Sequence, residues 1–282
     1  MRSMFSNEVD YMENKLLNNR YIGALIILPF LIFLFAGGIY LKCFVLTLSL
    51  AGMHELYSVS KFKSINPLGF MGYALCIVYY LALGKNIDYE FTLFAVIIAM
   101  LLMFFIPVFT NNKYNYVDIS ITLLAFLYIS VFFSFIVLVD NKVYGNYFVW
   151  LIFISSWMCD TCAYYIGRTF GKHKLCPKIS PKKTVEGSIG GLLGCTISCG
   201  FFGVFAISQG VTVSLIHFII IGIICGVFSQ FGDLAGSSYK RFVGVKDYGH
   251  LIPGHGGILD RFESSLFSGF VIFFYLTFLL SL

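Results

Sequence analysis

Nine apolar segments divide the sequence, and each is long enough to cross a bilayer at roughly 20 residues per span. Polar stretches separate them, except that only Gly37 and Gly38 mark the turn between the first two. The segments are 21–37, 39–57, 67–84, 91–108, 118–139, 147–167, 187–208, 212–232 and 265–281. This pattern predicts an all-α, polytopic transmembrane protein of about nine spans. It divides the chain into a polar arm (1–20), N-terminal helices (21–140) and a C-terminal helical region (141–282).

Composition supports a membrane protein. The 282 residues are 59% hydrophobic and only 12% charged, whereas soluble domains carry about 25% charged residues. A soluble enzyme is therefore excluded, and we expect no nucleic-acid partner.

The basic residues are unevenly divided between the two sides that nine spans define. One side collects sixteen of the nineteen lysines and arginines, and the other holds Lys42, Lys85 and Lys142. Cytoplasmic loops of membrane proteins carry such an excess of positive charge. We therefore predict a cytoplasmic N-terminus, two cytoplasmic charged loops and a C-terminus on the opposite side.

The larger charged loop, residues 237–263, suggests the chemistry. Its cations can neutralise phosphates, its aspartates can hold a divalent metal, and its glycines allow a tight turn. Phosphoryl and nucleotidyl transfer depend mainly on positioning and charge neutralisation, so this combination suits that class of reaction. The residues are Lys240, Arg241, Lys246, Arg261, Asp247, Asp260, Gly254, Gly256 and Gly257.

Four acids stand in or beside apolar segments, where charge is costly. Glu55 lies near the end of the second segment, Asp118 opens the fifth, Asp160 lies inside the sixth and Asp233 closes the eighth. Asp160 could line a polar cavity or make a structural hydrogen bond. Asp233 could be an ordinary helix-end acid. If the loop folds back, however, it could share a metal pair with Asp260.

The second charged loop spans residues 167–191 and ends in a Gly-rich helix start. Ser180, Lys182, Lys183 and Thr184 precede that start, and donors before a helix N-terminus form a phosphate site. The alternative is a basic loop that binds anionic lipid heads. His255, in the other loop, could meet a phosphate, take part in proton transfer or have a structural role in its Gly-rich turn. His217, alone in the eighth apolar segment, is interpreted as a packing or hydrogen-bonded residue.

The last charged loop carries a long pattern at fixed spacing: Ser237, Lys240, Arg241, Lys246, Asp247, Pro253, His255, Gly256, Gly257, Asp260, Arg261 and Glu263. Upstream stand Asp160, Ala163, Tyr164, Gly167, the run from Ser180 to Thr184, Glu186 and Gly187. These residues resemble the phosphatidate cytidylyltransferases, or CDP-diacylglycerol synthases, and the likeness covers residues 150–265 well. One position departs from the family pattern, because Glu263 replaces a final aspartate.

The resemblance implies that CTP and phosphatidate are converted to CDP-diacylglycerol and pyrophosphate, with Mg²⁺ bound singly or as a pair. Phosphatidate, a membrane lipid, would enter from the cytoplasmic leaflet of the bilayer. The resemblance also implies a possible homodimer. The implied metal ligands are Asp233, Asp260 and Glu263. The implied catalytic residues are Asp233, Asp260, Lys240, Arg241 and Lys246. The implied substrate-binding residues are Ser180, Lys182, Lys183, Thr184, Ser237, His255, Arg261, Asp160 and Asp247.

Two other functions stay open. One is a CTP-dependent transferase or kinase that acts on another lipid acceptor, such as a polyprenol or an ether lipid. The other is an ion-coupled transporter with intramembrane carboxylates. The clustering of the acids in and near the charged loops favours the transferase reading over transport.

Overall fold

The structure, a computed structural model, describes residues 31–84, 89–111, 113–249, 251 and 256–282. In that part of the chain, six helices are long and apolar enough to cross a membrane. Two further apolar helices, one β-hairpin and the helical residues 31–36 accompany them. The helices are α1 (Gly38–Ser60), α2 (Gly69–Ala82), α3 (Tyr89–Phe109), α4 (Tyr116–Asp140), α5 (Gly145–Phe170), α6 (Val185–Ser208), α7 (Leu215–Val243) and α8 (Leu259–Leu279). The strands are β1 (Lys174–Cys176) and β2 (Ser180–Thr184).

The all-α class and the membrane-spanning character are confirmed, but nine spans are not. The whole polar arm (1–20) and residues 21–30 of the first predicted segment, 21–37, lie outside the described residues. The segments 67–84 and 91–108 correspond to α2, which has 14 residues, and to α3, whose described apolar part is Leu93–Phe109. At 1.5 Å per residue, a 14-residue helix is too short for a hydrocarbon core about 30 Å thick.

Helix α4 begins at a complete capping box. The Asn115 side chain accepts hydrogen bonds from the backbone N–H groups of Val117 and Asp118, and the Asp118 carboxylate accepts one from the Asn115 N–H. The other carboxylate oxygen of Asp118 accepts the Asn66 N–H at 2.6 Å. Asp118 is therefore a buried acid that joins the start of α4 to the turn before α2.

Helices α5, α6 and α7 pack against one another through small residues. A Cβ atom on Gly191 of α6 would lie 2.8 Å from the backbone oxygen of Cys159 on α5. A Cβ atom on Gly222 of α7 would lie 2.8 Å from the Cα atom of Thr196. Glycines allow this close approach, which is a common basis of helix association in membranes.

The basic segments meet at one end of the helical bundle. There the Lys63 ammonium lies 5.8 Å from the ring centroid of Phe242, and Arg241 Nε donates to the backbone oxygen of Ile179 at 3.2 Å. At the other end, Lys142 Nζ donates to the backbone oxygen of the final residue at 2.7 Å. The two predicted charged loops are thus neighbours at the same end.

The close packing of α5 and α6 yields a prediction about stability. Replacing Gly191 with Ala should lower the free energy of unfolding by about 1–3 kcal/mol, because the added methyl group forces two backbones apart. The matched control is Gly200→Ala on the same helix, where the nearest atom to the new Cβ would be 3.6 Å away. That change should be neutral or slightly stabilising, since alanine favours helix. Thermal unfolding in detergent measures both, and equal midpoints for the two variants would contradict the prediction.

Candidate active site

The sequence suggested that the charged segment 237–263 is one loop, but the structure shows that it is not. Helix α7 continues to Val243, so Ser237, Lys240 and Arg241 are helical, and α8 begins at Leu259, so Asp260, Arg261 and Glu263 are helical too. The predicted segments 212–232 and 265–281 were consequently too short. The helices can carry Lys240, Asp260 and Glu263 at these positions because these three side chains are paired with one another.

A buried ammonium group joins α7 to α8. Lys240 Nζ donates to Asp260 Oδ1 and to Glu263 Oε1, both at 2.7 Å, and lies 5.1 Å from the ring centroid of Tyr248. Lys240 is 8% exposed and Glu263 is 4% exposed. A buried charge without a partner is strongly destabilising, so these groups stabilise one another and hold the two helices together.

The second oxygen of Asp260 fixes the connection between the two helices. Asp260 Oδ2 accepts backbone N–H groups from Tyr248 at 2.8 Å and from Gly257 at 3.0 Å. The Tyr248 hydroxyl in turn donates to the backbone oxygen of Gly236 at 3.1 Å. Burial raises the pKa of Tyr248, so its phenol keeps the proton that it donates. The described part of the segment between α7 and α8 therefore folds back onto α7. This folding back was the condition under which Asp233 and Asp260 could share a metal pair.

An ion pair between Lys183 and Asp233 joins β2 to α7. Asp233 Oδ1 also accepts the Ser237 hydroxyl at 3.4 Å. Directly after Lys183, the Thr184 hydroxyl accepts the Gly187 N–H at 3.1 Å and caps α6. Asp233 lies four residues before Ser237, and Arg241 of the 237–263 segment donates to the Ile179 backbone oxygen. The two charged segments that the sequence predicted to cooperate are thus in direct contact.

Asp160 connects α5 to the same group of charges. Its carboxylate accepts the hydroxyl of Ser264, the residue next to Glu263 on α8, at 2.9 Å. The structural hydrogen bond considered for Asp160 is therefore present. Because Asp160 is also exposed, the hydrogen bond does not exclude a place beside the substrate.

The other predicted site residues lie at the surface of this end or outside the described residues. Ser180 is half-buried, and His255 lies outside the described residues. Among the residues that the structure describes, no three histidine, cysteine, aspartate or glutamate side chains are close enough together to hold a metal ion. The metal role of Asp233, Asp260 and Glu263 therefore stays a prediction. The exposed members of the set are Lys182, Arg241, Lys246, Asp247 and Arg261.

Two glutamates make contacts that sequence reasoning missed. Glu186, in the first turn of α6, accepts the backbone N–H groups of Lys172 and His173 and so holds the base of the β-hairpin. Glu55 on α1 accepts the backbone N–H groups of Ile258 and Leu259 at the start of α8. Its position at the end of an apolar segment was a signal, but its partners lie about 200 residues away and no local pattern reveals them.

An apolar cavity opens beside the charged group, between α6, α7 and β1. Its volume is about 340 Å³. Ile189 and Phe231, which line it, are 55% and 59% exposed, so the cavity reaches the outer surface of the bundle. The other lining residues are Leu175, Cys176, Ser188, Leu192, Val227, Gln230 and Leu234.

Comparison with known proteins assigns the chain to a family. The sequence pattern of the cytidylyltransferase family matches residues 18–279. The chain is 34% identical to the phosphatidate cytidylyltransferase of Staphylococcus haemolyticus, over 87% of this chain and 92% of that protein. It is 34% identical to the enzyme of the same name from Staphylococcus saprophyticus, and 33% identical to that from Staphylococcus aureus, with the same coverage. Because the match covers nearly the whole chain and includes the charged end of the bundle, the chain belongs to the cytidylyltransferase family.

Proposed function

We propose that this chain is a phosphatidate cytidylyltransferase, which makes CDP-diacylglycerol and pyrophosphate from CTP and phosphatidate. The observation that carries the proposal is the contact of the 167–191 segment with the charged end of α7. It is made by the Lys183–Asp233 ion pair and by the hydrogen bond from Arg241 to the Ile179 backbone oxygen. That contact lies within the region that matches enzymes with this activity. It gathers phosphate-binding cations at one end of a bundle of apolar helices, which suits a charged nucleotide and a lipid that react together.

The proposed reaction is a direct displacement at phosphorus. A phosphate oxygen of phosphatidate forms a bond to the α-phosphorus of CTP, and the bond from that phosphorus to the β-phosphate oxygen breaks. Pyrophosphate leaves with that electron pair, so no covalent enzyme intermediate is required. The protein supplies positioning and neutralisation of the phosphate charge.

The exposed cations are suited to contact the phosphates directly. Lys182, Arg241, Lys246 and Arg261 can reach a bound triphosphate or lipid phosphate, and Lys183 can exchange Asp233 for a phosphate oxygen. Lys240 differs from them, because its ammonium is buried between Asp260 and Glu263. The resemblance implied that Lys240 contacts a phosphate. Its burial favours a different role, in which Lys240 holds Asp260 and Glu263 in place.

Mg²⁺ fits the donor chemistry of this end, because carboxylate oxygens are the ligands that this cation prefers. Two lysine ammonium groups already lie against these carboxylates, Lys183 at Asp233 and Lys240 at Asp260 and Glu263, so the acids attract cations. We therefore keep Asp233, Asp260 and Glu263 as the residues that would hold Mg²⁺. Bound there, the metal would neutralise charge on the triphosphate and on the leaving pyrophosphate.

The apolar cavity beside Asp233 supports sideways entry of the lipid. Its exposed rim would face the acyl chains of the bilayer, and Leu234 in its lining is next to Asp233 in sequence. A phosphatidate molecule could keep its tails in this cavity while its phosphate reaches the charged group. The excess of basic residues at this end supports a cytoplasmic orientation for the site and for the N-terminus.

A turnover assay tests the function. Purified protein in detergent should release pyrophosphate only when CTP and phosphatidate are both present, and EDTA should stop the release. Excess Mg²⁺ should restore it. If release requires a polyprenol or ether-lipid acceptor in place of phosphatidate, the proposed acceptor is wrong, but the proposed active site is retained. If folded protein releases nothing with any lipid, the proposed reaction is wrong.

Replacing Asp260 with Asn should reduce turnover to less than a tenth of the wild-type rate, a loss of at least about 1.4 kcal/mol in transition-state stabilisation. The amide cannot serve as a metal ligand of equal charge, and it cannot neutralise Lys240. The matched control is Asp140→Asn at the opposite end of the bundle, where Asp140 accepts the Gly38 N–H at 2.7 Å. The control should keep at least half of the activity. Turnover above a tenth in folded Asp260→Asn protein would count against the metal role.

Replacing Lys183 with Met should lower kcat/KM for CTP about tenfold or more, because a charge-assisted hydrogen bond contributes about 1.5–3 kcal/mol. Lys178 lies on the same hairpin but is exposed, and Lys178→Met removes the same charge. Its kcat/KM should stay within about threefold of wild type at 0.15 M salt, where exposed charges are largely screened. Equal losses in the two variants would mean that only the net charge of the hairpin matters.

A further inference from the structure

Glu55 of α1 is a buried carboxylate that accepts hydrogen bonds from the start of α8. Glu55 is only 5% exposed. Oε1 accepts the Ile258 N–H at 2.8 Å, and Oε2 accepts the Leu259 N–H at 2.9 Å. These amides belong to the first turn of a helix, where N–H groups have no partner within the helix. Helix α8 has no side-chain cap of its own, so Glu55 takes the place of a cap from a distant helix.

Two glycines leave the space that Glu55 occupies. A Cβ atom on Gly257 would lie 2.6 Å from Glu55 Oε2, and a Cβ atom on Gly249 would lie 2.9 Å from Oε1. Real Cβ atoms do not come this close to other heavy atoms. The carboxylate is therefore enclosed by the segment between α7 and α8, and any larger residue at either glycine would displace it.

Glu55 and Asp260 hold the same turn from two sides. Asp260 accepts the Gly257 N–H, and Glu55 accepts the next two N–H groups along the chain. The negative carboxylate of Glu55 also interacts favourably with the positive end of the α8 dipole. The position of the Asp260 carboxylate therefore depends on Glu55, although the two residues belong to opposite halves of the chain.

We propose that Glu55 is a positioning residue for catalysis: by fixing the first turn of α8, it sets where Asp260 lies relative to the substrates. This inference rests on the proposed role of Asp260. Glu55 itself need not touch CTP. Its loss should therefore lower kcat while leaving KM for CTP nearly unchanged.

The test compares two buried carboxylates, each of which accepts two backbone N–H groups. Glu55→Gln keeps the size of the side chain but turns one acceptor into a donor that faces an N–H. Asp118→Asn does the same at the start of α4, away from α8. In full-length protein assayed with CTP and phosphatidate, Glu55→Gln should lower kcat about tenfold and change KM for CTP less than twofold. Asp118→Asn should leave kcat within twofold, and both variants should show similar shifts of the unfolding midpoint.

The inference is overturned if kcat of Glu55→Gln stays within twofold of wild type. It is also overturned if both variants lose kcat equally, because the loss would then reflect general weakening of the fold. Inactive wild-type protein would reject the proposed function and this inference with it. Active wild type beside an unaffected Glu55→Gln rejects the inference alone.

A second pair of variants decides the matter if Glu55→Gln does not fold. Gly257→Ala places a methyl group against the Glu55 carboxylate and should lower kcat at least tenfold. Shortening the acid in the double variant Gly257→Ala with Glu55→Asp makes room for that methyl group, and kcat should recover at least threefold over Gly257→Ala. A double variant that is no faster than Gly257→Ala would overturn the proposal.

Discussion

The charged end of this molecule depends on one buried ammonium group. Lys240 is shared by Asp260 and Glu263, so one ammonium group faces two carboxyl groups. Two backbone N–H groups are also directed at Asp260, and hydrogen bonds to a carboxylate stabilise its charged form. Removing one member of such a cluster leaves the others buried and unpaired, at a cost of about 3–5 kcal/mol. Helix α7, the segment that follows it and the start of α8 therefore form one unit.

Glycine makes this density of charge possible. A Cβ atom on Gly236 would lie 2.4 Å from the carboxyl carbon of Glu263, and one on Gly232 would lie 2.5 Å from its backbone oxygen. Glu263 stands where the related family pattern has aspartate, and its side chain is longer by one methylene group. The open face of α7 at Gly236 accommodates that added length, so the carboxylate still reaches Lys240 at 2.7 Å. The departure from the pattern is thus matched by local space on the neighbouring helix.

The sequence predicted which residues gather in this region better than it predicted their secondary structure. Apolar length identified the long helices, and the placement of both basic loops on one side of the membrane indicated two cooperating segments. Charge also misled, because Lys240 and Glu263 looked like loop residues although both are helical. A helix can continue through such residues when their partners lie on a neighbouring helix, and those partners are long-range contacts that periodicity does not reveal. The 14-residue length of α2 was hidden for a similar reason, because apolar residues continue beyond the helix ends.

The motif residues of the last charged segment, Ser237 to Glu263, lie in the C-terminal half of the chain. The charged end is nevertheless built on the N-terminal helices as well. Ser60 on α1 forms a hydrogen bond of 2.7 Å with Tyr239 on α7, and the ring of Tyr239 stacks on that of Tyr248. Glu55, about one and a half helical turns before Ser60, holds the start of α8. Side chains spaced in this way along one helix can contact two different elements at fixed separation, because the helix itself is rigid. Helix α1 therefore sets the distance between the end of α7 and the beginning of α8, which is the distance that the Lys240 pairing requires.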